Sequence, residues 1–447
     1  MKLIRPTCCF LSLFLFIALS MRENLAAAKP ASRPALQSET AVDSTTLNGK
    51  LMMGYQGWFL CPADGSPVNS WFHWFRRNQT PDASTVTVDF WPDTSELEPD
   101  ELFITPFTRP DGSSAPLYSS YKQKTVLRHF QWMQQYGLDG VFLQRFSSEL
   151  RDSRYFNVRN QVTRNVLAGA EAFGRVFAIM YDISGQSEAT LVQDLKNDWS
   201  YLVDTLKITE SSSYLKHKGK PVLAIWGFGF TDRPGTPEQV RQLISFFQSE
   251  APEKYRVTLV GGVPSYWRTL TRDSKTDPAW AQVYRSFDVL SPWAVGRFSD
   301  EAGAERFRRD VTVPDLAETA AGNIEYLPVI FPGFSWSNLN KGPFNQIPRL
   351  GGRFYWKQVY NALSAGASML YGAMFDEVDE GTAMFKMAPT PLQMPEQGRF
   401  VPLSVDGYAL PSDWYLRVAG AAGKMLRHEI PLENEMPLPL PTRRRRP

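Results

Sequence analysis

The sequence predicts an α/β fold, a single (β/α)8 barrel of the TIM type with long loops at the C-terminal face of the strands. Short apolar runs alternate with helical patterns over most of the chain. These runs are continuously apolar, as expected for parallel strands buried on both faces. No glycine-rich phosphate loop follows the first run, which argues against a nucleotide-binding open sheet.

Eight strand candidates and six helix candidates occur in an order that fits a barrel. The first strand is followed by a long irregular segment, and we expect its part 86–92 to cross the barrel mouth because Pro92 ends it. The strand candidates are 51–59, 138–146, 175–183, 221–228, 256–262, 288–295, 324–331 and 368–375. The helix candidates are 121–136, 159–173, 191–206, 237–249, 354–365 and 414–427.

The ends of the chain differ in composition from the barrel, which we place at residues 49–430. Lys2 and Arg5 precede an apolar run that is short for a membrane span, so residues 1–28 are predicted to be a signal peptide. The protein is therefore expected to be secreted or periplasmic, with no membrane span after signal cleavage. Residues 29–48 are predicted to be a polar linker, and residues 431–447 a disordered Pro/Arg tail.

Composition indicates a soluble globular protein, and it argues against a nucleic-acid-binding protein and against a disulfide-stapled one. Hydrophobic residues make up 43% and charged residues 21% of 447 residues, which gives ample material for a core. A formal net charge of +2 gives no signal for a nucleic-acid partner. Two of the three cysteines lie in the predicted signal peptide, so only Cys61 remains and no disulfide framework can form. We expect a monomer.

Polar and aromatic residues follow most of the predicted strands. In a barrel the carboxyl ends of the strands converge on one face, where active sites lie. Each residue also has a structural alternative: a Trp could belong to the core, Arg145 could pair with a neighbouring carboxylate, and Asp182 could cap the next turn. The predicted substrate-binding residues are Tyr55, Gln56, Trp58, Gln144, Arg145, Tyr181, Asp182, Trp226, Trp293, Trp336 and Asp376.

The last predicted strand runs directly into four carboxylates: Asp376, Glu377, Asp379 and Glu380. Acids this close repel one another and raise some of their pKa values, which is unfavourable unless it has a use. Glu377 and Glu380 are three positions apart and would face the same side of a helical turn or tight loop. We predict that they are a working pair, with a solvated acidic loop or a calcium-binding loop as alternatives. The spacing does not fit an EF-hand.

Several segments carry a resemblance to known families. Residues 375–382, Phe-Asp-Glu-Val-Asp-Glu-Gly-Thr, resemble the Asn-Glu-Trp-His-Glu-Gly-Thr signature of glycoside hydrolase family 99, the endo-α-mannosidases and endomannanases. The wider chain resembles bacterial exported proteins grouped as glycoside hydrolase family 71/99-like, through segments 53–59, 89–93, 139–146, 180–185 and 331–336. Val378 and Asp379 stand where the signature has Trp and His, so mannose specificity does not carry over.

The resemblance implies roles for the two glutamates. Glu377 matches the base that acts on the sugar 2-hydroxyl to give an anhydro-sugar intermediate. Glu380 matches the acid/base that protonates the departing oxygen and later activates water. No metal or organic cofactor is implied. Retention of configuration is the preferred outcome, whereas family 71 comprises inverting α-1,3-glucanases, whose carboxylates must be far enough apart to hold a water molecule.

The predicted function is therefore an exported glycoside hydrolase acting on a polysaccharide or glycan. The substrate is expected to be α-linked and mannan-like or glucan-like, with Glu377 as base and Glu380 as acid/base. One alternative is a carbohydrate-binding barrel without catalysis. Another is a hydrolase of the xylosidase or arabinosidase type.

Overall fold

A computed structural model describes residues 41–77 and 79–441. The predicted signal peptide and the last six residues lie outside the described residues. Ten strands form one sheet, and all but the short β4 run parallel to their neighbours. They are β1 Leu51–Tyr55, β2 Gly140–Phe146, β3 Val176–Asp182, β4 Lys216–His217, β5 Lys220–Trp226, β6 Thr258–Val263, β7 Val289–Pro292, β8 Glu325–Tyr326, β9 Val329–Ile330 and β10 Leu370–Gly372.

The sheet closes into an eight-stranded barrel, which confirms the predicted fold. Its order is β8-β7-β6-β5-β3-β2-β1-β10-β9, with β4 paired to β5 outside the ring. The strands β8 and β9 belong to one predicted strand, 324–331, so their separate pairings with β7 and β10 join the two ends of the sheet. Pro328, which lacks an N–H, lies between them and interrupts the ladder.

Helices surround the barrel at the predicted places, and four short ones were not predicted. The predicted set corresponds to α1 Gln123–Tyr136, α2 Ser153–Phe173, α3 Leu191–Asp204, α4 Pro237–Ser245, α9 Arg353–Ser364 and α10 Trp414–Leu426. The unpredicted set is α5 Ala279–Tyr284, α6 Glu301–Phe307, α7 Val313–Ala321 and α8 Ser337–Asn340. None of the helices within 41–77 and 79–441 is long and apolar enough to cross a membrane.

Local sequence explains several helix ends. The carboxylate of Asp152 accepts the Arg154 N–H at the start of α2. Thr236 and Gln239 form a reciprocal capping box at the start of α4. Gly137 ends α1 in the left-handed conformation, at φ +70°, which costs glycine little. The chain therefore leaves α1 sharply and enters β2.

Segments at both ends of the described chain pack on the barrel, which moves the predicted boundaries. The Val42 N–H donates to the Gly174 carbonyl at 2.9 Å, and Leu47 is fully buried, so residues 41–48 of the predicted linker belong to the fold. Residues 431–441, predicted to be disordered, lie along α9 instead. The Trp356 Nε1–H donates to the Glu433 carbonyl at 3.1 Å, and the Pro441 carbonyl accepts the Ala409 N–H at 2.9 Å.

Candidate active site

A cavity of about 540 Å³ opens at the carboxyl ends of the strands. Most of the predicted site residues line it, because their positions at or just after strand ends place them on this face. Those that line it are Gln56, Trp58, Gln144, Asp182, Trp226, Trp293, Trp336, Glu377 and Glu380.

Arg145 and Tyr181, predicted to bind substrate, face away from the cavity. Successive side chains of a strand point to opposite faces, so Gln144 faces inward and Arg145 outward. Both outward side chains meet Asp198 of α3. Its carboxylate accepts the Arg145 Nε–H and Nη2–H, each at 2.6 Å, and the Tyr181 hydroxyl at 2.7 Å. This buried cluster attaches the helix to the sheet. Arg145 therefore pairs with a neighbouring carboxylate, which was the alternative to a role in substrate binding.

Tyr55 and Asp376 also hold the fold rather than line the cavity. The Tyr55 hydroxyl bonds to Nδ1 of His129 on α1 at 2.8 Å, outside the ring of strands. The Asp376 carboxylate accepts the backbone N–H groups of Gln56 and Gly57 at 2.7 and 2.9 Å. Asp376 therefore fixes the chain after β1 against the chain after β10, and the prediction that these two residues bind substrate is corrected.

The segment after β10, residues 375–385, is the acidic loop that carries both glutamates. Its start is fixed by the Phe375 N–H, which donates to the Gly54 carbonyl at 2.7 Å. Its middle is fixed by the Glu380 carbonyl, which accepts the Ser335 N–H at 2.9 Å. Gly381 follows at φ +69°, where a Cβ atom would lie 2.7 Å from the Ser335 nitrogen. Only glycine fits this close approach, so the loop has one well-defined path.

Arg349 supports the acidic loop from behind. Its Nη2 donates to the carbonyls of Gly381 and Ala383 at 2.8 and 2.7 Å. The guanidinium lies over the rings of Phe90 and Tyr415, at 4.4 and 4.5 Å from their centroids. Burial lowers the pKa of Arg349 to about 10. The arginine remains charged at neutral pH and holds the far end of the loop.

The pKa values of Glu377 and Glu380 are both raised by their surroundings. The Glu377 carboxyl accepts hydrogen bonds from the Gln56 amide and the Thr382 hydroxyl. Burial, and then the charges of Glu380 and Asp379, raise the pKa of Glu377 well above its usual range. Burial, with Asp379 and Asp182, raises the pKa of Glu380 to about 7 against the opposing charge of Arg233. Near neutral pH the pair therefore retains at least one proton, as an acid and base working together require.

Asp379 pairs with a histidine that the sequence did not assign to the site. The Asp379 Oδ2 lies 3.0 Å from the His73 Nδ1. Burial raises the pKa of Asp379 to about 8 and lowers the pKa of His73 to about 3, so both are neutral at pH 7. His73 lies in an irregular segment more than 300 positions from Asp379. No local motif indicates their contact.

Trp58 lines the cavity but does not offer an open ring face. Its ring stacks on His73 with centroids 3.7 Å apart and planes 5° apart, and on Phe146 at 5.1 Å. Its buried Nε1–H has no hydrogen-bond partner among the described residues. The faces of the Trp58 ring are therefore occupied by protein side chains, and its role in substrate binding stays a prediction.

Other aromatic residues form the opposite wall. Trp226 packs edge-on against Trp293, with centroids 5.3 Å apart. The Arg233 guanidinium lies 5.3 Å from the centre of the Trp226 ring, and its Nε donates to the Ser184 hydroxyl at 2.9 Å. Arg233 was not predicted, although it lies in the polar stretch that follows β5 and so is on the carboxyl-end face of the barrel. Tyr371, also missed, points inward from β10, and its hydroxyl accepts the Gln144 amide at 3.0 Å.

The carboxylates of the acidic loop do not converge on a common point. Asp376 is held by backbone N–H groups, Glu377 by Gln56 and Thr382, and Asp379 by His73. Within the described ranges, no group of three or more His, Cys, Asp or Glu side chains is arranged to hold a metal ion. The calcium-binding alternative therefore has no donor set in this part of the chain.

Asp182, predicted either to bind substrate or to cap the next turn, does both in part. Its carboxylate accepts the Ser184 N–H at 2.7 Å, and its side chain also lines the cavity.

The fold is similar to that of known glycoside hydrolase structures. No protein-family model and no curated protein matches the sequence. The structure of the family 99 endo-α-mannosidase from Bacteroides thetaiotaomicron superposes with a TM-score of 0.61 at 15% identity, covering 86% of this chain and 99% of that one. The same enzyme in complex with Bis-Tris propane gives 0.60 at 15% identity over the same shares. This likeness confirms the resemblance to the family 99 barrels at the level of fold.

Proposed function

We propose that the protein is an exported glycoside hydrolase that cleaves an α-linked, mannan-like or glucan-like polysaccharide or glycan. One observation carries the proposal. Two buried carboxyl groups with raised pKa values, Glu377 and Glu380, line one cavity at the carboxyl ends of the barrel strands and come from a single constrained loop. Paired carboxyls of this kind are the machinery of glycoside hydrolysis.

The chemistry needs one proton donor and one base. In our proposal Glu380 protonates the departing glycosidic oxygen and then activates water, while Glu377 acts as base on the sugar. Gln56 and Thr382 would hold the Glu377 carboxyl in place, since both contact it. The Trp58 Nε1–H and the Asp182 carboxylate, both at the cavity wall, are available to bind sugar hydroxyls. Export rests on the N-terminal sequence, and mass spectrometry of the secreted protein would test it by finding a shortened N-terminus.

The first test is digestion of a glycan panel with the wild type and three variants. The panel contains α-mannans, α-1,3-glucans, xylans and arabinans. Cleavage of one polymer by the wild type should fall at least a hundredfold in Glu377→Gln and Glu380→Gln, because each removes one of two cooperating groups. Asp315→Asn is the matched control, since Asp315 is also a buried carboxyl with its pKa raised to about 7 but lies on α7 outside the cavity.

The control variant should cleave like the wild type. Cleavage of a xylan or arabinan alone would favour the xylosidase or arabinosidase alternative. Binding of a polymer with no cleavage by the wild type would favour the non-catalytic barrel. Full activity in Glu380→Gln would contradict the proposed roles.

A further inference from the structure

A second cavity, of about 350 Å³, lies beside the candidate active site and shares a wall with it. Its lining includes Phe72, His73, Arg76, Arg77 and Gln79, and we call it the arginine groove. The ring of His73 stacks on Trp58, which lines the active-site cavity. The stacked rings of Trp58 and His73 therefore form a wall between the two cavities. A sugar chain bound in the active-site cavity could extend over this wall into the arginine groove.

The two cavities differ in their balance of acidic and basic side chains. The active-site cavity is lined by the carboxylates of Asp182, Asp232, Glu377 and Glu380. Its two arginines are each paired: Arg233 with Asp232 at 2.5 Å, and Arg297 with Asp273 at 2.8 Å. The arginine groove has two guanidinium groups in its lining and, among the described residues, no carboxylate.

The charges of Arg76 and Arg77 are not compensated by the described residues around the groove. Arg76 donates through Nη2 to two uncharged acceptors, the carbonyls of Asn338 and Leu339, at 2.9 and 3.1 Å. Arg77 is exposed, lies 5.4 Å from the centre of the Tyr155 ring, and forms no ion pair within the described ranges.

Two carboxylates near Tyr155, those of Glu149 and Asp152, are already engaged. Glu149 pairs with Arg159 at 2.6 Å, and Asp152 pairs with Arg154 at 2.7 Å. Their charges are therefore balanced by arginines other than those of the groove. The arginine groove keeps a net positive charge next to an acidic cavity.

We infer that the arginine groove binds an anionic substituent of the substrate, a sulfate or carboxylate on a sugar unit beyond the one held at Glu377 and Glu380. Guanidinium groups are suited to such oxyanions because their planar N–H donors match two oxygens at once. The active-site cavity offers an anion no unpaired guanidinium, since both of its arginines are paired, so this difference would also fix the direction of the bound chain. This inference rests on the proposed function and narrows its substrate class to acidic glycans.

The test compares two probes that differ only in charge. Sulfated dextran oligosaccharides and uncharged dextran oligosaccharides of the same length are titrated by calorimetry into the Glu380→Gln protein, which blocks the proposed cleavage. Oligogalacturonates provide a third arm with carboxylates in place of sulfates. We expect tighter binding of an anionic probe than of dextran, and a loss of this preference of about tenfold in Arg77→Gln added to the same background. Arg77→Lys should retain most of the preference, since it keeps the charge.

Lys196→Gln is the matched control for general attraction between a cation and a polyanion. Lys196 also lies over an aromatic ring, 4.4 Å from the centre of Phe246, but on α3 outside the groove. Its loss should leave the preference unchanged. The inference would be overturned if charged and uncharged probes bound equally, or if neither anionic probe bound. It would also be overturned if Arg77→Gln and Lys196→Gln lost the preference for anionic probes to the same extent. Failure of the proposed function would show differently, as no cleavage of any panel polymer by the wild type.

Discussion

At the scale of single residues, Asp379 is the side chain most altered relative to the family signature that the chain resembles. A carboxyl stands where the signature has His, and an imidazole from another part of the chain, His73, contacts it. The charge of Asp89 acts on Asp379, and the charge of Asp379 in turn acts on both Glu377 and Glu380. With His73 neutral, ionisation of Asp379 adds an uncompensated negative charge beside the two glutamates.

Asp379→Asn should therefore move the alkaline limb of the pH–activity profile to lower pH. Asp379 begins to ionise above pH 7, and its charge is then the first cause, after burial, of the raised pKa of Glu380, so removing it lets Glu380 lose its proton earlier on the alkaline side. The measurement is kcat/KM against pH on the polymer that the panel identifies. Asp232→Asn removes a carboxylate from the cavity rim without that influence and should keep the alkaline limb in place. An unshifted limb in Asp379→Asn would contradict this account.

The contact between Arg145 and Asp198 makes a second prediction at this scale. Both side chains are almost fully buried, at 1% and 3% exposure, so Asp198→Ala would leave an arginine charge without its carboxylate. We expect the free energy of unfolding to fall by about 3–5 kcal/mol, measured by urea denaturation. Asp204→Ala removes a carboxylate from an exposed pair with Lys254 and should cost much less stability. Equal losses would show that the buried pair does not hold α3 on the barrel.

At the scale of elements, strand periodicity decided which of the predicted site residues line the cavity. Position at a strand end was visible in the sequence, and it correctly placed Gln144, Asp182 and Trp226 at the cavity. Arg145 and Tyr181 were assigned to the same face, although a strand turns alternate residues away. A continuously apolar strand gives no sign of which of its two buried faces points into the barrel. Only the polar contact with Asp198 on α3 shows the outward face.

The four unpredicted helices lacked the signals that reveal longer ones. The helices α5 and α8 have six and four residues, too few to show a repeating apolar face. The helices α6 and α7 are joined by a π-helical turn, Arg308–Thr312, which breaks the regular helical period, and Pro314 directly after this turn suggested a break.

The acidic loop makes a prediction at the element scale through Gly381. Gly381→Ala would place a methyl group 2.7 Å from the nitrogen and 2.8 Å from the oxygen of Ser335, so the Glu380 peptide must move. We expect cleavage to fall at least tenfold while the protein stays folded, because a displaced acid loses its alignment with the bond. Gly112→Ala is the control, since its φ of +78° imposes the same backbone strain with nothing within 4 Å. If both variants behave alike, strain alone accounts for the effect.

At the scale of the whole molecule, the barrel was predictable and the walls of its cavity were not. Alternation of strands and helices indicated closure, because each apolar strand needs a neighbour on both sides. The approach of His73 to Asp379 depends on an irregular segment, whose path no repeating pattern specifies. The contacts of residues 431–441 with α9 depend on backbone carbonyls, such as that of Glu433, which every sequence provides.

The concentration of acids with raised pKa values makes the stability of the whole protein depend on pH. The pKa of Asp379 rises from 3.8 to about 8 on folding, so between these values the folded state binds one more proton than the unfolded state. Its contribution to stability is complete below about pH 4 and is lost as the pH rises through about 8. The pKa values of His73 and His129 fall to about 3 on folding, so these two histidines make stability rise with pH instead. They do so only below about pH 6.5, where the unfolded histidines bind protons.

We therefore expect the melting temperature to fall between pH 6.5 and pH 8, where the carboxyls act alone. A carboxyl contributes a slope of about 1.4 kcal/mol per pH unit as long as it stays protonated in the folded state and ionised in the unfolded state. Asp379→Asn removes one of them, so its melting temperature should fall less over this interval, as followed by calorimetry at constant ionic strength. Asp204→Asn, at an exposed carboxyl whose pKa is lowered by Lys254, should retain the wild-type slope. A wild-type slope in Asp379→Asn would mean that this carboxyl is already ionised in the folded protein at pH 6.5.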